Sequence, residues 1–182
     1  MKVKLKEICT PKSSSLKLSQ IETIGKYPVL GAGGICGFLN TFQVDKESIC
    51  IIKDGAGIGR VQIMPAKSST LGTLQIIELN DNISVKYFYY LLKSMNLGKS
   101  FNGATIPHIY FKDYSQKDIT VHNLDEQQKI ANHLDSIQSA IDNKQQQLKE
   151  LDELVKSRFI EMKKMPHGFD FANAKSILRE VV

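Results

Sequence analysis

The sequence predicts a mixed α+β fold: a strand-rich front domain over residues 1–123, one long coiled-coil helix over 124–162, and a tail over 163–182. Three observations lead there. Short apolar or β-branched runs broken by glycine clusters fill the first 80 residues, an aromatic-rich segment with helical spacing follows, and the last third carries apolar residues at alternating intervals of three and four.

In chain order, the strand candidates are 27–30 (Tyr-Pro-Val-Leu), 48–53, 61–64 (Val-Gln-Ile-Met) and 73–79. They are bounded by breaks at 31–37, 54–59 and 67–70, rich in glycine, serine or threonine, which is the pattern of strands joined by turns. Residues 85–95 predict a helix of about three turns with a broad apolar face, and Asn82 or Ser84 can cap it. A glycine-containing loop over 97–108 then leads to a last strand at 118–121.

From Ile130 onward two interleaved series recur every seven residues. One is Ile130, Ile137, Lys144, Leu151, Arg158; the other is Leu134, Ile141, Leu148, Val155, Met162. Eight of these ten are apolar, so one side of the helix carries a continuous oily stripe that asks for a partner helix along its length. Asn123 is a candidate N-cap, with Glu126 three residues on able to reach back. A helix from about 125 to 162 spans roughly 57 Å at 1.5 Å per residue, longer than a small domain needs. The stripe is therefore covered either by another chain or by a hairpin return of 170–182, for which Phe169, Phe171, Ile177 and Leu178 offer apolar surface. Lys144 and Arg158 interrupt it, a cost in stability that can select register.

A length of 182 residues, 42% hydrophobic and 24% charged, suits one ordinary domain with an appendage. No apolar run approaches the roughly 18 residues of a membrane span, and the first residues lack the apolar stretch of a signal peptide, so a cytoplasmic, membrane-free protein is expected. Cys9, Cys36 and Cys50 have no CxxC spacing and read as three buried thiols. Residues 1–123 hold 15 Lys and Arg against 9 Asp and Glu, a net +6, whereas 124–182 hold 9 against 10, a net −1. A basic front domain suits a polyanion, because each cation set on a phosphate releases counterions; a solvated lysine-rich surface is the plain alternative.

The motifs give little support to catalysis. The cluster beginning at Gly31 lacks the last glycine of GxGxxG, since Cys36 stands there, and the one beginning at Lys53 is not GxxxxGK[ST]. What both supply is backbone freedom that lets N–H groups approach phosphate. His108, His122 and His133 fit no zinc motif, and no metal site is expected. The amino-methyltransferase motifs Asp-Pro-Pro-Tyr and Asn-Pro-Pro-Tyr are absent. Glu161 and Lys163 have the spacing of part of a nuclease pair, but no strand-borne acidic residue precedes them. The Tyr87-Phe88-Tyr89-Tyr90 run could stack bases, though aromatics at helical spacing are more often core.

Five segments together resemble the DNA specificity subunits of type I restriction-modification systems. They are Tyr-Pro-Val-Leu-Gly-Ala-Gly-Gly-Ile-Cys-Gly from Tyr27, Ile-Ile-Lys-Asp-Gly-Ala-Gly-Ile-Gly from Ile51, Tyr-Phe-Tyr-Tyr-Leu-Leu from Tyr87, Gly-Ala-Thr-Ile-Pro-His-Ile from Gly103 and Asn-Leu-Asp-Glu-Gln-Gln-Lys-Ile-Ala from Asn123. Their order matches too, although the family usually has prolines where this chain has Val121-His122-Asn123.

The resemblance covers about residues 1–162 and implies a target-recognition domain on a spacer helix. Full-length members carry two of each, with the helices antiparallel. One of each implies a half-subunit acting as a homodimer on double-stranded DNA with a bipartite, palindromic site. It also implies methyltransferase (M) and restriction (R) subunits as partners, S-adenosylmethionine in the methyltransferase only, and no cofactor or enzymatic activity here. The alternative is a truncated specificity fragment that dimerises or competes for the methyltransferase subunit without directing modification. The expected DNA contacts are Lys53, Arg60, Lys67, Lys99, Ser100, Asn102, Thr105 and His108; a turn with no DNA contact is the competing reading of the 103–107 segment. Expected dimer contacts are Ile130, Leu134, Ile137, Ile141, Leu148, Leu151, Val155 and Met162.

Overall fold

The computed structural model describes residues 1–99 and 107–163. Nine strands and three α-helices occur among them: β1 Lys2–Lys4, β2 Cys9–Ser13, β3 Tyr27–Gly31, β4 Gly34–Leu39, β5 Ser48–Ile52, β6 Val61–Met64, β7 Ser69–Thr70, β8 Leu74–Leu79, α1 Val85–Ser94, α2 Phe111–Tyr114, β9 Asp118–Thr120 and α3 Leu124–Lys163. The sequence-predicted strands at 27–30, 48–53, 61–64, 73–79 and 118–121 all appear, as does the helix at 85–95, to within two residues at each end.

Strand β5 organises the front unit. All five of its residues are buried because its two faces serve different cores. Ile49 and Ile51 join Ile77, Phe88, Leu92 and Leu97 in one cluster; Cys50 and Ile52 join Leu30, Met64, Leu74 and Ile76 in the other. The period-two alternation of a strand delivers successive side chains to opposite sides, so a run of apolar residues with no polar interruption is what a doubly covered strand requires. Around β5 lies an antiparallel sheet of order β2-β8-β5-β6. A second sheet, β4-β3-β7, has β3 and β4 antiparallel and β3 and β7 parallel, while β1 pairs with β9.

Strand β4 occupies what reads in sequence as a glycine-rich turn. The chain reverses tightly at Ala32-Gly33, and the remaining glycines run up the return strand opposite β3. Between Val29 and Leu30 the register shifts by one, so Cys36 is an extra, bulged residue. That corrects the expectation of three buried thiols: Cys9 and Cys50 are buried, but the bulge turns Cys36 outward, with its Sγ donating to the Val29 carbonyl at 3.4 Å. Burial pushes the thiols of Cys9 and Cys50 up to about 12, so neither is a thiolate nucleophile near neutral pH.

Helix α1 starts at Ser84, whose Oγ accepts from the Tyr87 backbone N–H. Tyr87 and Phe88 are core residues, and the Tyr87 hydroxyl donates to the Thr120 carbonyl at 2.9 Å. Helix α3 starts at Asn123, whose Oδ1 accepts from the Glu126 N–H at 2.9 Å. The Glu126 carboxylate lies 3.0 Å from His122 Nδ1.

The first compact unit runs Met1–Leu134 and takes in the opening turns of α3. Gln127 and Ala131, one turn apart, are the residues of that helix buried against it. Gln127 is 1% exposed, and its amide meets three backbone groups: its Oε1 accepts from Ser84 N at 2.8 Å, and its Nε2 donates to Asn82 O at 3.1 Å and His122 O at 2.9 Å. One side chain thus joins the caps of α1 and α3. Replacing Gln127 with alanine leaves three backbone groups without that partner. We expect the front unit to lose about 2–4 kcal/mol, seen as a lower midpoint in urea unfolding; an unchanged midpoint would show the amide to be dispensable.

The rest of α3 continues to Lys163, and its heptad residues lie along one side of it. Ile137, Ile141, Leu148, Leu151 and Val155 are between 46% and 67% exposed, whereas Ile130, Leu134 and Met162 are half-buried. The proposed return of 170–182 lies outside the described residues.

Candidate nucleic-acid interface

The loop between β5 and β6 carries three glycines at alternate positions, Gly55, Gly57 and Gly59, with φ of +82°, +84° and +78°. Side-chain-bearing residues rarely adopt that region, so the glycines allow a coil that closes on itself. Gly55 O accepts from Ile58 N, Gly57 O from Arg60 N, and Gly59 N donates to Ile52 O at 2.8 Å. At Gly59 there is a second reason for glycine: a Cβ there would lie 2.1 Å from the backbone nitrogen of Gly98. Conversely, a Cβ on Gly98 would lie 2.4 Å from Ile58 O. Two glycines thus let the β5–β6 loop and the turn after α1 touch backbone to backbone.

Other segments are tied to the same place. Gly55 N donates to Pro107 O and Ile109 N to Lys53 O, so residues 107–109 run beside the loop and His108 forms a bridge pair with Asp54. The β3–β4 turn is held by Gln62, whose Nε2 lies 3.1 Å from both Gly31 O and Ala32 O, and by Arg60, whose Nη2 lies 3.3 Å from Ala32 O. Glycine segments far apart in sequence therefore form one surface.

Against this surface and the end of α1 lies a cleft of about 420 Å³, lined by Arg60, Lys93 and Lys99 together with Tyr89, Asn96 and the Gly59–Gly98 contact. Among the described residues its lining includes three cations and no carboxylate. The Lys93 ammonium sits 5.2 Å from the Tyr89 ring centre, which fixes the aromatic wall beside the charge. Such a cleft can take an anion with an apolar or aromatic neighbour, the chemistry of a nucleic-acid backbone with its sugars and bases.

Of the expected DNA contacts, Arg60 and Lys99 both line this cleft, and His108 stands nearby through its pairing with Asp54. Lys53 is placed differently: its ammonium is paired with the adjacent Asp54 carboxylate and both are largely covered, so its charge is neutralised within the loop. Lys67 is exposed, in a left-handed conformation with φ of +55°, beyond the far end of β6. Strand β6 runs from Val61, opposite Ile51, to Met64, opposite Ser48, which carries the chain away from Arg60. Ser100, Asn102 and Thr105 lie outside the described residues.

Lys93 and Tyr89 do not stand out in the sequence. Their signal is present, since positions four apart on a helix share a face, but the aromatic run reads as core and nothing singles out the lysine. That reading of the aromatics holds for Tyr87 and Phe88, while Tyr89 and Tyr90 are half-buried.

A family model described as "Type I restriction modification DNA specificity domain" matches residues 1–153. Among solved structures, the S subunit of a type I restriction-modification system from M. genitalium is similar at 26% identity and a TM-score of 0.63, over 86% of this chain and 42% of that one. Two others share the fold at 19% identity. A chain from a study of complex assembly and conformational transition of the type I R-M system has a TM-score of 0.68 over 86% of this chain and 43% of its own. The HsdS subunit from Thermoanaerobacter tengcongensis has 0.58 over 79% and 38%. This chain thus spans about two-fifths of the length of those subunits. A comparison with curated proteins gives no match. The strand-rich domain, the long helix and a family match over most of the chain agree, and the protein belongs to the type I restriction-modification DNA specificity family.

Proposed function

We propose that this chain is a half-size specificity subunit: one recognition domain that grips duplex DNA through the cationic cleft and its glycine loops. Two copies, joined along α3, would direct a methyltransferase and a restriction subunit to a bipartite, palindromic site. The observation that carries the DNA reading is the cleft lined by Arg60, Lys93 and Lys99, with no carboxylate in its lining among the described residues. Arg60 and Lys99 supply phosphate contacts, and His108 is a candidate base reader, as are Ser100, Asn102 and Thr105. Lys53 shapes the loop through Asp54. Support for pairing comes from the exposed stripe of α3. Catalysis and S-adenosylmethionine are assigned to the methyltransferase partner.

The test is reconstitution with a type I methyltransferase subunit, followed by mapping of methylated bases on a plasmid. Methylation at a symmetric, gapped motif is the expected result. A stable complex that methylates without sequence preference, or not at all, favours the fragment that only competes for the subunit. In the same system, Arg60→Ala with Lys99→Ala should weaken DNA binding roughly 10- to 100-fold near 0.1 M salt. The salt slope should flatten by about 0.9 for each phosphate that the variant no longer neutralises, with dimerisation unaltered. Unchanged affinity and slope would take the cleft out of the DNA interface.

A further inference from the structure

The long helix carries enough information to fix how two copies align. Resting on the homodimer proposed above, we infer that the copies pair antiparallel in the register that sets Gln146 of one helix across from Gln146 of the other. Reversing a helix turns its three-four spacing into four-three, so each member of one heptad series faces a member of the other series. Centred on Gln146, all ten seam positions find a counterpart. Ile141 meets the partner's Leu151, Val155 the partner's Ile137, and Leu148 the partner's Lys144. A slip of one heptad in either direction leaves two positions unmatched, Arg158 and Met162 or Ile130 and Leu134.

The residues flanking the seam select the same alignment. Leu154 lies off the heptad series and is 53% exposed, a bulky apolar side chain that the stripe alone does not explain. In this register it covers the partner's Ala140, an exposed small residue on the same flank. After a slip it would face His133 or Gln147 instead. Glu161 meets the partner's His133, whereas one slip sets it against Glu126 and the other against Ala140. At the two-fold axis itself only glutamines meet, Gln145 with Gln145 on one side and Gln147 with Gln147 on the other.

Lys144 does not obstruct this pairing. The two lysines stand about 6 Å apart along the axis, at 1.5 Å per residue over four positions, rather than face to face. Each stem lies over a leucine, and each ammonium already points to the flank, 3.1 Å from Gln147 Oε1 of its own helix.

Dipolar EPR on the full chain tests this. Cys36, the exposed thiol, is replaced by serine, and nitroxide labels are placed singly through Ser139→Cys, Gln146→Cys and Glu153→Cys, all exposed positions on the side of α3 away from the seam. Ser139 and Glu153 lie seven residues either side of Gln146, so in the inferred register each label and its mate are offset by about 21 Å along the rod, and Gln146 by none. The expected result is one short distance at Gln146 and two longer, equal distances at the others. Unequal distances at Ser139 and Glu153 would mean a slipped register, and three equal distances a parallel pair; either overturns the inference while leaving a dimer. Loss of all dipolar coupling with a monomeric mass by light scattering would remove the dimer itself.

Discussion

Aspartate at Ile141 and Val155 together is expected to turn the dimer into a monomer at micromolar concentration. These residues are 46% and 67% exposed on the isolated helix and belong to the apolar stripe. Across the seam they meet leucine and isoleucine, so the new carboxylates have no cation or donor to face, and a buried unpaired charge costs several kcal/mol. Lost apolar burial alone amounts to about 1.5 kcal/mol or more per side chain. Two copies carry four such sites, so the lower bound is about 6 kcal/mol, more than four orders of magnitude in Kd at 1.4 kcal/mol per tenfold. Sedimentation velocity reads the change directly, and Ser139→Asp, on the opposite side of α3, serves as the control that keeps the dimer. If the double variant still sedimented as a dimer, the stripe would not be the interface. DNA binding should follow the mass: a single head forfeits the effective concentration that links two half-sites, typically worth 10²–10⁴ in affinity.

The parts of this protein that could be read from sequence are those where burial dictates residue type. Strand β5 needs apolar residues on both faces and shows a run of them, α1 and α3 show three-four spacing, and Ser84 and Asn123 stand where caps belong. Edge strands carry no such demand. Strand β2 is Cys-Thr-Pro-Lys-Ser with four of its five residues exposed, and it tolerates a proline because it has a neighbour on one side only. Strand β4 was hidden by glycines that read as a turn. The cleft was half legible: glycine clusters and cations marked Arg60 and Lys99, but only the fold brings Lys93 and Tyr89 to them. Adjacent charges also mislead. Lys53 reads as a free cation in the loop, yet the next residue is the carboxylate that neutralises it. Nothing in the sequence singles out Gln127, and its burial follows from the ends of α1 and α3 meeting at that point.

Gly59 should be the most sensitive single position in the candidate interface. Alanine at Gly59 meets two penalties at once. Its φ of +78° costs an L-residue about 1–2 kcal/mol, and its Cβ would lie 2.1 Å from Gly98 N, backbone that cannot swing aside as a side chain would. The loop must then either separate from the 97–99 turn or unwind. Separation opens the cleft, moving Arg60 away from Lys99 and Lys93, and a misplacement of about 1 Å is enough to spoil a convergent set of donors. A loss of about 3 kcal/mol or more in unfolding free energy is expected, together with DNA binding reduced more than in the Arg60→Ala, Lys99→Ala pair, because the backbone N–H groups of the loop are displaced along with the charges. Gly33→Ala is the matched control: no atom lies within 4 Å of a Cβ there and its φ is not positive, so its stability should change by only a few tenths of a kcal/mol. Should Gly59→Ala bind DNA as the parent does, the contact between the two glycines would be a packing detail, and the interface would have to be sought on another face of the recognition domain.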